Sequence, residues 1–166
     1  MEQNKDINEF LKAEAGVNKA VEVEAKEIKR GSYAIISDKP CIIIERIATK
    51  PGKCGMPKFY FTGIDIHTSK KCEEVKPQKS TMKIFFTELK EYRLINLSNN
   101  DNNGFGIVML ENGNTKQCKF NTRILYLEDN LKEKLSSYLD EGKNVMVTVQ
   151  TALGEEFITS YRIEHN

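Results

Sequence analysis

The sequence predicts a mainly β fold class, two small antiparallel barrels in series with one helix in the second. Three observations predict it. Short runs rich in β-branched and aromatic residues follow one another through residues 31–75, separated by turn signals and by no helical period. After the polar stretch "KPQKSTMK" (76–83), which reads as a domain junction, the strand pattern restarts. A sustained helical spacing then falls inside that second half. At 166 residues the chain has room for two small domains. The predicted division is a flexible acidic N-terminal tail over 1–16, a first barrel over 17–85 and a second over 86–166.

The first barrel opens with "GSYAII" (31–36) and "CIIIERIA" (41–48), joined by the turn "SDKP". A glycine-containing loop leads to "KFYFTGIDI" (58–66), the turn "HTSK" and a short "KCEEV" (71–75). The second barrel begins with "YRLINL" (92–97), the Asn-rich loop "SNNDNNG" (98–104) and "FGIVML" (105–110). Asn112-Gly113 is a strong hairpin signal and leads into "TKQCKF" (115–120). In "YLEDNLKEKLSSYLDEG" (126–142), Leu127, Leu131, Leu135, Tyr138 and Leu139 recur at helical spacing, and Gly142 supplies the stop. "NVMVTVQTA" (144–152) and "EFITSYRIE" (156–164) close the chain. Three strands, a helix and two strands is the order of an OB-fold, whose strand face and loops commonly bind oligonucleotides. The loops flanking that face would be 98–104 and Leu153-Gly154. Its candidate stacking aromatics are Phe105, Phe120 and Phe157, and all three read better as core.

Composition narrows the function classes. With 39% hydrophobic and 30% charged residues, the chain reads as a soluble globular protein. No apolar run approaches the roughly twenty residues a membrane span needs, so no membrane partner is expected. The N-terminus carries acids and lacks the apolar centre of an export signal, which points to the cytosol. Cys41, Cys54, Cys72 and Cys118 show no C-x-x-C spacing, so reduced thiols and no zinc are expected. Residues 17–85 hold fourteen Lys and Arg against eight Asp and Glu, a balance of +6, whereas 86–166 hold nine against twelve, a balance of −3. A basic first half suggests contact with a polyanion.

The candidate site is the loop in "ATKPGKCGMPKFYF" (48–61). Pro51-Gly52 suits the centre of a type II turn, with proline fixing φ and glycine taking the positive φ. Gly55 frees the backbone after Cys54, and Pro57 holds Met56 extended. Lys53 should then project into solvent from a thin finger, between the like charges of Lys50 and Lys58.

Enzyme readings do not hold. A phosphate-binding P-loop would need glycine at 47 and Ser or Thr at 54, where this chain has Ile47 and Cys54. His67 and His165 are the only histidines, and no Asp-His-Ser order supports a triad. Asp65 with Glu73-Glu74 could pair as carboxylates, but alternation and turn signals place them on exposed positions. Lys53 beside Cys54 would favour a thiolate, yet no general base lies close in sequence. The expectation is a protein that is not an enzyme and uses no cofactor or metal.

The loop carries a resemblance. "TKPGKCGMPKFYFTGIDIHTSKKCEEV" resembles the hypusine loop and following strand pair of the eukaryotic translation initiation factor five-A family, whose relatives are archaeal homologues and bacterial elongation factor P. The "GIDI" stretch, the "T-x-KK" turn and the acidic pair after it match the family pattern. The similarity continues upstream through "IKRGSYAIISDKPCIIIE" and more loosely to "EGKNVMVTV". The resemblance implies an SH3-like barrel followed by an OB-fold, with Lys53 as the modified lysine. The modification loop would be Thr49, Lys50, Pro51, Gly52, Cys54, Gly55, Met56, Pro57 and Lys58. It further implies that deoxyhypusine synthase transfers an aminobutyl group from spermidine to Lys53, and that deoxyhypusine hydroxylase then acts on the arm. The partner implied is the ribosome, in its exit-site region, through ribosomal RNA and peptidyl-tRNA. The implied function is promotion of peptide-bond formation at consecutive prolines. Candidate RNA contacts are Lys50, Lys58, Lys70 and Lys71. The chain departs from the family pattern at Cys54 and Met56, where histidines are usual, at Pro51 and Pro57, and at Ser69, where glycine is usual. The alternative is a general RNA-binding module whose unmodified hairpin lysines grip phosphates.

Overall fold

The computed structural model describes residues 16–49, 55–98 and 104–165. The predicted tail over 1–16 therefore lies, apart from Gly16, outside the described residues. The chain divides into two compact units, the first running to Phe86 and also counting Ala152–Gly154, the second made of Thr87–Thr151 and the chain from Glu155 onward.

In the first unit, β1 (Val21–Glu24), β2 (Tyr33–Ile36), β3 (Lys39–Ala48), β4 (Lys58–Asp65), β5 (Lys71–Pro77) and β6 (Thr81–Ile84) form a six-stranded sheet in the order β1-β6-β2-β3-β4-β5. The pairings are antiparallel throughout. β2 and β3 meet through a two-residue turn with Ser37 and Asp38 both at positive φ, the turn whose twist suits a hairpin. Alternation fixes which side faces the core. On β4, Phe59, Phe61, Gly63 and Asp65 point inward, and Lys58, Tyr60, Thr62 and Ile64 point outward. The core gathers Ala25, Ile28, Ala34, Ile36, Cys41, Ile43, Phe59, Phe61, Cys72, Met82 and Ile84. Arg46 closes one end of it. Its guanidinium lies 4.5 Å over the Phe59 ring and donates to the carbonyls of Lys26 and Ile28, both at 2.9 Å. That ties the 3-10 turn Ala25–Glu27 to the sheet.

In the second unit, β7 (Thr87–Ser98), β8 (Phe105–Met109), β9 (Thr115–Phe120), β10 (Asn144–Ala152) and β11 (Glu155–Glu164) form a closed barrel in the order β10-β11-β9-β8-β7. β11 runs parallel to β9, with Phe157 opposite Lys119 and Ile158 opposite Phe120. Between β9 and β10 lie α1 (Thr122–Leu127) and α2 (Leu131–Asp140). Three strands, helical segment and two strands is the predicted OB-fold order, and the mainly β class holds.

Three details differ from the sequence reading. β1 and β6 were not predicted. "VEVE" is too short to stand out, and the presumed junction at 76–83 carries the end of β5, a turn and most of β6. The single helix is two. Glu128 is extended, at φ −121 and ψ 113, and Asn130 is left-handed at φ 58. The Leu127 phase therefore does not carry into α2. Leu131 and Leu135 are buried while Leu127 is 66% exposed. Asn121 starts the first helix by accepting from the Arg123 amide at 2.8 Å. Finally, Asp65 is buried, not exposed. Its Oδ1 accepts from the amides of His67, at 2.8 Å, and Thr68, at 3.3 Å, and so shapes the β4–β5 turn.

A Cβ at Gly63 would come within 2.9 Å of Cys41 Cβ and Ile36 Cδ1 and 3.1 Å of the Ile42 carbonyl oxygen. Gly63→Ala should destabilise the first unit by about 1–3 kcal/mol, because a Cβ and a backbone oxygen have little room to give. Adding Cys41→Ala should not restore stability, since the clashing Cys41 Cβ remains. Urea unfolding followed by near-ultraviolet circular dichroism checks both.

Candidate functional site

The site is built at the open end of the β3–β4 hairpin. The last ladder pair is Ala48 with Phe59. One residue further, the Thr49 amide donates to the Lys58 carbonyl at 2.9 Å. The return bond goes to a side chain, since the Lys58 amide donates to Thr49 Oγ1 at 3.0 Å, and that hydroxyl donates back to the Lys58 carbonyl at 3.2 Å. A threonine here ends the pairing while still satisfying the strand's polar groups, which lets the two arms part into a loop.

A second brace comes from the β5–β6 turn. The Gln78 amide donates to the Pro57 carbonyl at 3.0 Å, and its Nε2 donates to the Lys58 carbonyl at 3.3 Å. Ser80 holds that turn, with its amide at 3.0 Å and its hydroxyl at 2.6 Å from the Pro77 carbonyl. Gln78 was missed in the sequence because 76–83 was read as a junction. Reading Pro77-Gln78-Lys79-Ser80 as a turn between strands would have found it, together with the exposed Lys79 beside it.

Of the predicted loop, Gly55, Met56 and Lys58 are exposed and Pro57 is half-buried. Lys50, Pro51, Gly52, Lys53 and Cys54 lie outside the described residues. The candidate RNA contacts among the described residues, Lys58, Lys70 and Lys71, do not come together. Lys58 stands at the loop end of β4, opposite Pro77, whereas Lys71 stands opposite Ile64 at the other end. The separation is about 20 Å along the strand. Lys70 lies in the turn beyond it, and Lys71 pairs with Glu73 at 3.1 Å. Between Lys58 and Lys71 the outward face carries Ile47, Tyr60 and Val75 in one row, then Glu45, Thr62 and Glu73 in the next.

Other sequence candidates are absorbed by the fold. Glu73 faces out, and Glu74 accepts from the Ser37 amide at 3.3 Å. Neither is a partner for the buried Asp65. Cys41, Cys72 and Cys118 are buried. Burial, with the neighbouring Cys72, pushes the Cys41 thiol up to about 12, and burial, with Glu156, does the same for Cys118. Both are inert as nucleophiles near neutral pH. Among the described residues, no three His, Cys, Asp or Glu side chains gather as a metal site, and no helix is long and apolar enough to cross a membrane. In the second unit Phe120 is core, and Phe105 and Phe157 are half-buried. Leu153 and Gly154 form the β10–β11 turn at φ 52 and 77. Lys116 is held by Glu156 at 2.9 Å and lies 4.5 Å from the centre of the Tyr92 ring, so its charge is neutralised within the fold.

Comparison with known proteins covers both units. The family model described as "Translation initiation factor 5A-like, N-terminal" matches residues 18–80. The model described as "Eukaryotic elongation factor 5A hypusine, DNA-binding OB fold" matches residues 87–162. Eukaryotic translation initiation factor 5A-1 of Medicago sativa is 36% identical over 153 residues, covering 91% of this chain and 90% of that protein. The 5A-1 protein of Arabidopsis thaliana is 32% identical over 153 residues, covering 92% of each. Among solved structures, the translation initiation factor eif-5a family protein from Naegleria fowleri is similar with a TM-score of 0.70 and 34% identity, covering 86% of this chain and 98% of that one. The factor from Methanococcus jannaschii, at TM-score 0.61 and 22% identity over 88% of this chain and 97% of its own, shares the fold.

Thr49→Val removes the hydroxyl and leaves the shape. Stability should fall by about 0.5–1.5 kcal/mol, because both bonds of the hydroxyl are lost but water can replace them at this accessible site. Hydrogen exchange at the Lys58 amide should accelerate far more than exchange at core amides such as Phe61. Thr49→Ser should keep the wild-type exchange pattern.

Proposed function

The chain belongs to the eukaryotic translation initiation factor 5A family, a family of translation factors, and from that premise we propose that it acts on the ribosome through a hypusine formed at Lys53. The observation that carries the reading is the double bracing of the loop base, Thr49 on one side and Gln78 on the other. Between those braced ends the sequence "KPGKCGMP" places a glycine two positions C-terminal and one immediately N-terminal to Lys53, the light neighbours that a lysine entering an enzyme would need.

The chemistry asks for that shape. In the transfer, the lysine Nζ forms a new C–N bond to the aminobutyl group as the bond to the secondary amine of spermidine breaks, and 1,3-diaminopropane leaves. The amine must enter the modifying enzyme, deoxyhypusine synthase, uncharged and unobstructed, and bulky neighbours would block it. Deoxyhypusine hydroxylase would act next on the same loop. The lengthened arm carries two amines, and it can pass between RNA strands to meet phosphates beyond the reach of a plain lysine. In the ribosomal exit-site region it would approach the acceptor end of the peptidyl-tRNA and orient a slow substrate, such as one ending in consecutive prolines, while the ribosome performs the bond formation. At the loop base, Lys58 and Lys79 supply exposed cations.

Lys53→Arg separates charge from chemistry. Arginine keeps one positive charge, and stability should change by less than about 0.5 kcal/mol. Guanidinium stays protonated and accepts no aminobutyl group. In reconstituted translation of a polyproline reporter, modified wild type should relieve the stall and the arginine variant should not. Equal relief by the two would overturn the reading.

A salt titration of ribosome binding tests the flanking cations. Affinity should fall with salt, and Lys58→Ala or Lys79→Ala should each reduce the log–log slope by up to about 1. Lys71→Ala, already paired with Glu73 and about 20 Å from the loop base, should leave it unchanged.

A further inference from the structure

The outward face of β3, β4 and β5 carries an apolar row that the core does not need. Ile47, Tyr60 and Val75 are direct cross-strand partners, Ile47 with Tyr60 and Tyr60 with Val75, and they are 51%, 46% and 46% exposed. Isolated exposed apolar residues are ordinary, but three in register form one continuous strip across the sheet. The strip lies one outward position from Lys58, where the loop begins, and Met56 on the returning arm of the loop is 64% exposed. The next row along the sheet is Glu45, Thr62 and Glu73. With Glu45 exposed there and Glu73 already paired with Lys71 at 3.1 Å, that row offers a phosphate backbone no free cation. The surface suits protein.

We propose that the row Ile47–Tyr60–Val75 is the docking surface for the enzyme that transfers the aminobutyl group to Lys53. The inference rests on the reading of Lys53 as the modified residue. Its occupant follows from continuity. An enzyme that admits the loop deeply enough to reach Lys53 brings its rim down onto the strands carrying the loop, and the first uncharged row on those strands is this one. An exposed tyrosine at the middle of an uncharged strip suits an interface centre, where aromatics are enriched and charged residues depleted. The row would supply affinity, and the loop would supply the reacting amine.

The test measures aminobutyl transfer from spermidine to the full chain by intact mass, varying the protein as substrate with purified deoxyhypusine synthase. The variant Ile47→Thr/Tyr60→Thr/Val75→Thr keeps β-compatible side chains at all three positions. Its KM should rise about tenfold with kcat within about twofold of wild type, the signature of lost binding without lost chemistry. Tyr60→Arg alone should raise KM in the same direction if the triple variant folds poorly. Leu89→Thr, which removes a still more exposed apolar side chain from β7, should leave KM unchanged. Unaltered KM in both row variants overturns the docking inference while modification of wild type leaves the reading of Lys53 standing. A wild type that takes up no aminobutyl group overturns that reading and this inference with it. A wild-type dimer that the triple variant dissociates, or ribosome binding lost with transfer intact, assigns the row to another occupant and also overturns it.

Discussion

The first unit depends on an empty place. On the inward side of β4 the sequence Phe59, Phe61, Gly63, Asp65 omits one side chain, and Cys41 and Ile36 close into the gap from β3 and β2. Cys72, the cross-strand partner of Gly63 on β5, reaches the same space from the other side. A side chain at this point would meet Cys41 Cβ, Ile36 Cδ1 and the Ile42 carbonyl oxygen at once, and β2 and β3 would have to shift to admit it. The close approach has an electrostatic mark, because the Cys41 thiol, buried beside Cys72, is pushed up to about 12. What the gap allows is close packing against the β3–β4 hairpin. One end of it carries the lysine loop and the other the Asp65 turn.

The two ends are stabilised differently. At the loop end, the hydroxyl of Thr49 and the turn at Gln78 satisfy the backbone where the ladder stops, so the arms can separate without leaving polar groups unpaired. At the other end a buried carboxylate dictates the turn. Asp65 takes the amides of His67 and Thr68 on its side chain and that of Ser69, at 2.9 Å, on its carbonyl. These bonds over-determine the backbone enough that Ser69 sits at φ 63, a conformation costing a non-glycine residue about 1–2 kcal/mol. The serine in place of glycine at 69 is therefore carried by the aspartate.

Most of the architecture was legible because period-2 alternation and turn signals are local. Asn112-Gly113 gave its hairpin, with Gly113 at φ 84, and Gly142 stopped its helix at φ 77. What escaped was non-local or hidden by composition. β6 lies in a stretch of lysines and polar residues, and it becomes a strand by pairing with β1, some sixty positions earlier in the chain, as in Glu22 with Lys83. Leu127 has the right spacing for the helix that follows, but spacing does not reveal a left-handed asparagine between them. The base of the site was half legible. The loop sequence marked it, yet the bracing by Gln78 depends on a strand the sequence reading had dissolved. Asp65 looked exposed because a buried acid that caps a turn has the same local sequence as a solvated one.

The charge excess of the first half does not make one electrostatic face. Lys58 and Lys79 flank the loop base, while Lys70 and Lys71 stand at the far end of β4 and β5, with the apolar row and the Glu45–Glu73 row between. The roughly 20 Å between these groups exceeds the screening length of about 8 Å at physiological salt, so each acts on its own surroundings. Lys71 is further offset by its pairing with Glu73. A diffuse basic field could hold RNA in many orientations. Two separated cation groups with an apolar and acidic band between them cannot. Under the proposed reading of Lys53, delivery of its arm would then rest on the braced loop base and the few side chains around it, and not on the net charge of the domain.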